Sequence, residues 1–516
     1  MADKEKKKKA AAEGKPVTQP PAGKTRPRPR RRAARRAETP PARRRSVLFV
    51  TPECAPFATS GGLGEVAGSL PAALNRSRKT RMDCRVILPL YGKISDEYRK
   101  KMKFLGEGRV PVAWRNQYIG LFELKKDGTV YYFIDNEYYF KRDGLYGYYD
   151  DCERFAYFSR AVFTAMEIAD FHPNIIHAND WQSALVPIYQ NSLVRKAFTR
   201  TVFTIHNIEY QGHYGKDVLE SCLGLPEDQE YIVDFRGDVN LMKGAIESCN
   251  VLSTVSPTYA QELKDPVFSF GLDEIIRRNE HKLTGILNGI DVRTYDPARD
   301  PLIAANYSEK DPSGKADCKR ALQEELGLPV RDVPMITLIS RLVPAKGMDL
   351  IMHTLDGVLR NNDVQFVMLG TGNGEYENYF RSLQYNYPDK VCSMIEFDTA
   401  KSHRVYAAGD ILLMPSRCEP CGLSQMIGCR YGDIPVVRET GGLKDSIKDC
   451  TLGDGNGFTF ADYGAESFYH AVMNAVSRCG DKDKWGPLVR HDLSMDFSWR
   501  KAAGQYIQMY EAMMER

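Results

Sequence analysis

From Val47 onward the chain alternates short apolar runs with longer stretches whose apolar positions recur every three or four residues. The runs VLFV (47–50), CRVILPL (84–90), VYYFI (130–134), NIIHA (174–178), TVFTIH (201–206) and VLSTV (251–255) have the length and β-branched content of strands. ERFAYFSRAVFTAMEIA (153–169) has a helical period. After about residue 330 the alternation restarts, with MITLIS (335–340), VQFVMLG (364–370), ILLMP (411–415), IPVV (434–437) and GFTF (457–460) as strands. Strands that are apolar throughout predict parallel sheets covered by helices on both faces. Two successive sets predict an α/β chain of two doubly wound domains, joined near NGIDVRTYDPARDP (288–301). Ligands of such sheets bind beyond the carboxyl ends of the strands, so the expected site is the cleft between the domains.

Charge changes this picture at one end only. Residues 1–45 carry seven lysines and ten arginines against four acidic residues, a charge of +13 that leaves −9 for the remainder of a chain totalling +4. That segment is rich in Ala and Pro and almost free of large apolar residues, so it is expected to stay disordered and to bind polyanions weakly, without specific nucleic-acid recognition. It has neither the apolar core of a secretory signal nor the composition of a good organelle transit peptide. No apolar run approaches the roughly 18 residues of a membrane span. The 12 cysteines are scattered in or beside apolar segments, as at Cys84, Cys249 and Cys392, which suggests reduced thiols and a cytoplasmic location.

The candidate chemistry follows the strands. After the first comes Thr59-Ser60-Gly61-Gly62-Leu63-Gly64, where the glycines either close a tight turn or bring backbone amides to an anion. A phosphate-binding loop often carries a cation, and this one has none between Val47 and Val66. HANDWQSALVP (177–187) and TIHNIEYQGHYG (204–215) come next; His206 ends a strand, a place for a structural hydrogen-bonder or a catalytic group. SRLVPAKGMDLI (340–351) supplies the charge the opening loop lacks, with Arg341 and Lys346 suited to a diphosphate, or to an ion pair with a nearby carboxylate. LGTGNGE (369–375) reads as a close-approach loop at a nucleotide site, without the acidic partner of an NAD domain.

MPSRCEPCGLSQMIGCRYG (414–432) is the most informative segment. Its Cys418-x-x-Cys421 has no second CxxC with which to complete a zinc site, so neither a metal nor any other cofactor is expected. It reads as a strand, a turn through Glu419-Pro420, and a helix beginning near Gly422-Leu423 whose amides face an anion. RETGGLKDSI (438–447) repeats the formula at Thr440-Gly441-Gly442.

In order, these segments resemble the bacterial glycogen synthase and plant starch synthase family (glycosyltransferase family 5), glucosyltransferases that use ADP-glucose. SGGLGEV, HANDWQ, TIHNIEYQG, TVSPTYAQEL, GLDEIIRR, KLTGILNGID, SRLVPAKGMDLI, MPSRCEPCGLSQ, RYGDIPVVRETGGLKDSI and DFSW carry the resemblance from Val47 to about Tyr510. It implies a GT-B fold, two doubly wound Rossmann-like domains facing a deep inter-domain cleft. The implied domains are 46–283, the acceptor side, and 284–497, the nucleotide-sugar side, with the C-terminal helix (498–516) crossing back onto the first. The implied activity is retaining transfer of glucose from ADP-glucose to the non-reducing 4-hydroxyl of an α-1,4-glucan such as glycogen, by a front-face route without a covalent intermediate. By the same resemblance Arg341 and Lys346 neutralise the donor diphosphate, Glu419 faces the glucose, and Cys421, Gly422 and Leu423 cradle sugar and phosphate. His206 lies at the sugar, Asp180 is a cleft carboxylate, Asn288 follows the hinge, and Phe397 stacks on adenine. Thr59, Gly61 and Gly62, with Thr440, Gly441 and Gly442, complete the donor site.

The family's first loop reads Lys-Thr-Gly-Gly-Leu; here Thr59 stands for the lysine, and Lys93 or a tail residue is the candidate substitute. That departure keeps two alternatives open, a non-catalytic glucan- or nucleotide-sugar-binding paralogue and the same transfer from UDP-glucose.

Overall fold

The computed structural model describes residues 45–77, 80–194 and 199–515. The tail expected over 1–45 lies outside the described residues except for Arg45, which opens the first strand.

The first sheet contains β1 (Arg45–Val50), β2 (Met82–Pro89), β3 (Lys103–Val112), β4 (Arg115–Lys126), β5 (Thr129–Asp135), β6 (Ile175–Asn179) and β7 (Arg200–Ile205). A small antiparallel sheet of β8 (His213–Tyr214), β9 (Asp234–Phe235) and β10 (Asp238–Asn240) intervenes before β11 (Val251–Thr254) and β12 (Leu283–Gly285) complete the first sheet. The order is β12-β11-β7-β6-β1-β2-β5-β4-β3. The central strands are buried at nearly every position, as their apolar runs require.

This sheet is not parallel throughout. β4 pairs antiparallel with β5, and β3 antiparallel with β4. Both escape the search for continuous apolar runs because they lie at the edge of the sheet with exposed and buried positions mixed along their length.

The second sheet is β15-β14-β13-β16-β17-β18, all parallel, built from β13 (Met335–Ile339), β14 (Gln365–Leu369), β15 (Val391–Met394), β16 (Ile411–Met414), β17 (Ile434–Arg438) and β18 (Phe458–Phe460). Its strands run outward in both directions from β13 and β16, so the topological switch point lies between those two. In the first sheet the chain reverses in the same way between β1 and β6. Loops at the carboxyl ends of these two strand pairs are where ligands of doubly wound sheets bind.

The predicted helix over 153–169 is found at Asp151–Ile168. The C-terminal helix, Trp499–Glu515, buries Trp499, Ala502, Ala503, Tyr506, Ile507, Tyr510 and Met513, a three-four repeat along one face. That face packs on the opening helix Gly62–Asn75 of the first lobe. The Tyr510 hydroxyl reaches Nδ1 of His177 on β6 at 2.7 Å, and Thr80 donates to Glu511 at 2.9 Å. His177 is fully buried between this hydroxyl and Thr204, and burial drops its pKa to about 3. It therefore acts as a neutral hydrogen-bonding pin between helix and sheet. Among the described residues no helix is long and apolar enough to cross a membrane.

Candidate active site

The second lobe brings its candidates together. Arg341 and Lys346 follow β13, and Glu419 follows β16, one on each side of the switch point. The loops that carry them are pressed into contact: Arg417 N–H donates to the Ala345 carbonyl at 2.9 Å, and a Cβ on Gly347 would collide with the Pro415 carbonyl oxygen. Gly347 also sits at φ +73°, so this crossing requires glycine on two grounds. The result is an ion pair, Lys346 Nζ to Glu419 Oε2 at 2.6 Å, with the Ser416 hydroxyl donating to the same oxygen at 3.0 Å. The Glu419 side chain is 8% exposed and that of Lys346 22%, so the pair is largely shielded from solvent. Arg341 stands exposed and forms no ion pair among the described residues. Its guanidinium is available for an incoming anion.

The turn after Glu419 is open. The helix starts at Ser424, and the N–H groups of Gly422 and Leu423 donate to no protein acceptor among the described residues. Asn288, on the connection between the lobes, hydrogen-bonds the Cys421 thiol and leaves its own Oδ1 buried without a partner among the described residues. Burial pushes the Cys421 thiol up to about 12 and the Cys418 thiol likewise, so neither behaves as a thiolate. Phe397, on the loop after β15, is 90% exposed, an uncovered ring available for stacking.

The first lobe places Asp180 after β6 and His206 after β7, on adjacent strands. Asp180 has φ +55°, a strained conformation for a residue with a side chain. The geometry turns its Oδ1 toward the backbone N–H groups of His206 at 2.7 Å and Asn207 at 3.3 Å. Burial raises its pKa to about 7, against those two hydrogen bonds, which pull it down. His206 is buried and held neutral, its pKa dropped to about 3 by desolvation. The Asn179 amide nitrogen donates to the Val50 and His177 carbonyls, so its Oδ1 faces His206 Nε2 at 2.9 Å. Nε2 therefore carries the proton, and Nδ1 remains an acceptor.

The opening loop is bonded in part from within. The buried carboxylate of Glu53 accepts the Ser60 N–H at 2.5 Å and the Ser60 hydroxyl at 2.8 Å, and the Gly61 and Gly64 amides also bond it. These donors of the loop are thus taken from within. Gly61 and Gly62 are exposed, with nothing within 4 Å of where a Cβ would stand, so space is open above the helix start. Thr59 is exposed, and Lys93 stands exposed on the loop after β2.

At the third turn, Thr440 and Gly441 also bond a protein carboxylate, that of Glu262 from the first lobe, at 2.8 and 3.0 Å. Glu53 and Glu262 are the residues sequence reasoning passed over. Glu262 lies within TVSPTYAQEL, one of the segments that carry the resemblance, but a contact between lobes has no local sequence signal. Two further cations were missed: Arg438 donates to the Arg417 carbonyl at 2.8 Å, and both guanidinium groups lie over the Tyr463 ring beside the same loops. Among the described residues no cluster of three or more His, Cys, Asp or Glu side chains is arranged to hold a metal ion.

Comparison with known proteins decides the lineage. The family described as starch synthase catalytic domain matches residues 46–278, and that described as glycosyl transferases group 1 matches residues 322–487. A glycogen synthase of Clostridium botulinum is 44% identical over 480 residues, covering 91% of this chain and 100% of the relative; one from Desulforamulus reducens is 45% identical over 479 residues, covering 91% and 98%. The chain belongs to the glycogen and starch synthase family. Among solved structures of the family, the catalytic domain of starch synthase IV from Arabidopsis thaliana, bound to ADP and acarbose, matches with a TM-score of 0.85 at 35% identity, covering 92% of this chain and 100% of that one. A sucrose-phosphate synthase from Thermosynechococcus elongatus, at 16% identity and a TM-score of 0.58, shares the fold alone with this family member, covering 92% and 100%.

Proposed function

We propose that the protein is a glycogen synthase that transfers glucose from ADP-glucose, with retention, to the non-reducing 4-hydroxyl of an α-1,4-glucan, and that it works in the cytoplasm. The observation that carries this reading is the shielded Lys346–Glu419 pair beside the unpaired Arg341 at the second switch point. Cleaving the glucosyl–phosphate bond builds positive charge on the sugar and negative charge on the leaving diphosphate. A cation and a carboxylate held 2.6 Å apart match that separation, with Lys346 and Arg341 toward the diphosphate and Glu419 toward the sugar. Glu419 then stabilises and orients, and the leaving phosphate accepts the acceptor's proton. The free N–H groups of Gly422 and Leu423 add donors for the phosphate or sugar, the Asn288 oxygen accepts a ligand hydroxyl, and Phe397 stacks on the base. Neutral His206, with Nδ1 as acceptor, holds a sugar hydroxyl without placing a competing cation beside the forming oxocarbenium. ADP is the nucleotide in the starch synthase structure that this chain matches, which supports ADP-glucose as donor. No step in this scheme calls for a metal.

Transfer of labelled glucose to glycogen, with ADP-glucose and UDP-glucose offered separately, tests the reading. Turnover with ADP-glucose that collapses in Glu419→Gln is the expected result. Turnover from neither donor, restored by Thr59→Lys, would replace it with the disabled paralogue.

A further inference from the structure

The short helix Pro257–Glu262 follows β11 of the first lobe, yet the polar bonds of Thr258 and Glu262 go to the second. Ser256 donates to the Pro420 carbonyl at 2.6 Å. The Thr258 N–H and hydroxyl both donate to the Asp445 carboxylate, at 2.8 and 2.7 Å. Glu262 Oε1 accepts from the Thr440 hydroxyl at 2.8 Å and the Gly441 N–H at 3.0 Å, while Oε2 is enclosed without a partner among the described residues. These bonds end on the turn that carries Glu419 or on the segment that packs against it.

The packing between those two segments transmits position. Gly442 N–H donates to the carbonyls of Glu419 at 3.1 Å and Pro420 at 3.2 Å. A Cβ on Gly441 would collide with the Glu419 carbonyl oxygen, and one on Gly442 with that of Cys421. The two backbones touch with no side chain between them, so a shift of Thr440–Gly441 is a shift of Glu419.

We propose that Glu262 is a positioning residue for the transfer: from the opposite lobe it clamps Thr440 and Gly441, and through them it holds Glu419 in register with Lys346. This rests on the proposed function for its catalytic consequence. The clamp also couples the site to the seating of the lobes, because separation that breaks the two Glu262 bonds releases the backbone behind Glu419.

Three variants test it. Glu262→Gln keeps an oxygen that accepts both bonds, Glu262→Ala removes it, and Glu262→Asp keeps the charge but withdraws it by one methylene. Removing an acceptor from two enclosed donors corresponds to about a tenfold effect. The expected result is therefore a kcat about tenfold lower in the Ala and Asp variants, with KM for the nucleotide sugar changed less than about threefold, since the damaged interaction belongs to the transition state. Glu262→Gln stays within about twofold of the unaltered protein. Amide hydrogen exchange speeds up across 419–423 and 440–443 in the Ala and Asp variants and not in the Gln variant. Exchange and kcat unchanged in Ala and Asp, or Gln as damaged as Ala, would overturn the proposal. Absence of transfer in the unaltered protein is a failure of the proposed function; the exchange pattern then decides the clamp by itself.

Discussion

The two lobes solve the same topological problem with opposite chemistry. Each is doubly wound about a switch point, β1/β6 in the first and β13/β16 in the second, and each sends its candidate residues from the loops at that point. In the first lobe the loops hold carboxylates, Glu53 and Asp180, that are buried and spent on backbone amides, beside a histidine held neutral. In the second, Arg341, Lys346 and Arg417 stand on the loops and Arg438 at the end of the neighbouring β17, with Glu419 paired to Lys346 and Asp349 to Arg417. On the proposed reading a diphosphate takes its counter-charge from the second lobe, and the first offers neutral and acceptor groups suited to sugar hydroxyls. The first loop bonds Ser60, Gly61 and Gly64 to its own Glu53, and the cations proposed to meet the phosphate stand in SRLVPAKG and SRCEP.

Breaking the second lobe's chemistry has the largest expected effect. Glu419→Ala removes the carboxylate proposed to face the sugar and leaves Lys346 without it; transfer is expected to fall by about a thousandfold, read as kcat in a glucose-incorporation assay. Lys346→Ala or Arg341→Ala removes one of the cations proposed to face the leaving group and is expected to cost about a hundredfold in kcat/KM. Both values exceed anything expected from the opening loop.

The first lobe is sharpened by pH. Asp180, raised to about 7 by burial, changes charge within the neutral range, whereas His206, lowered to about 3, does not. The kcat/KM profile of the unaltered protein is expected to show an inflection near pH 7 that is absent in Asp180→Asn. For stability the signs oppose. The folded protein holds the Asp180 proton between about pH 4 and 7 while the unfolded chain has released it, so this group's contribution declines as pH rises through that window. His206 binds its proton in the unfolded chain between about pH 3 and 6.5 and not in the folded one, so its contribution declines as pH falls through that range. Denaturant titrations at pH 4, 5.5 and 7 are expected to show a shallower acid-side loss in His206→Gln and a shallower neutral-side loss in Asp180→Asn.

Thr59→Lys carries the smallest effect. An exposed lysine added where Thr59 now stands exposed is expected to change ADP-glucose KM by about threefold at most.

Much of this was legible in the chain. Continuous apolar runs located the central strands of both sheets, because a strand covered on both faces has no polar side to show. They failed at the hairpin Lys103–Lys126, where an edge exposed to water mixes exposed with buried positions, and at Val391–Met394, where four residues with half-exposed Cys392 and Ser393 give too little signal. For the site, position after a strand was enough to single out Arg341, Lys346, His206 and Glu419. What could not be read was which groups pair. Lys346 meets Glu419, Glu53 fills its own loop, and Glu262 reaches Thr440 across the lobes, through side-chain contacts between residues 73, 7 and 178 apart in sequence.

The central claim, that the second lobe alone supplies the charge for the diphosphate, is tested most directly by calorimetric titration of ADP into the unaltered protein, Lys346→Ala and Thr59→Lys. The account predicts that Lys346→Ala weakens ADP binding by about tenfold or more while Thr59→Lys stays within about threefold. Tightening by a hundredfold in Thr59→Lys, with Lys346→Ala unchanged, would contradict it.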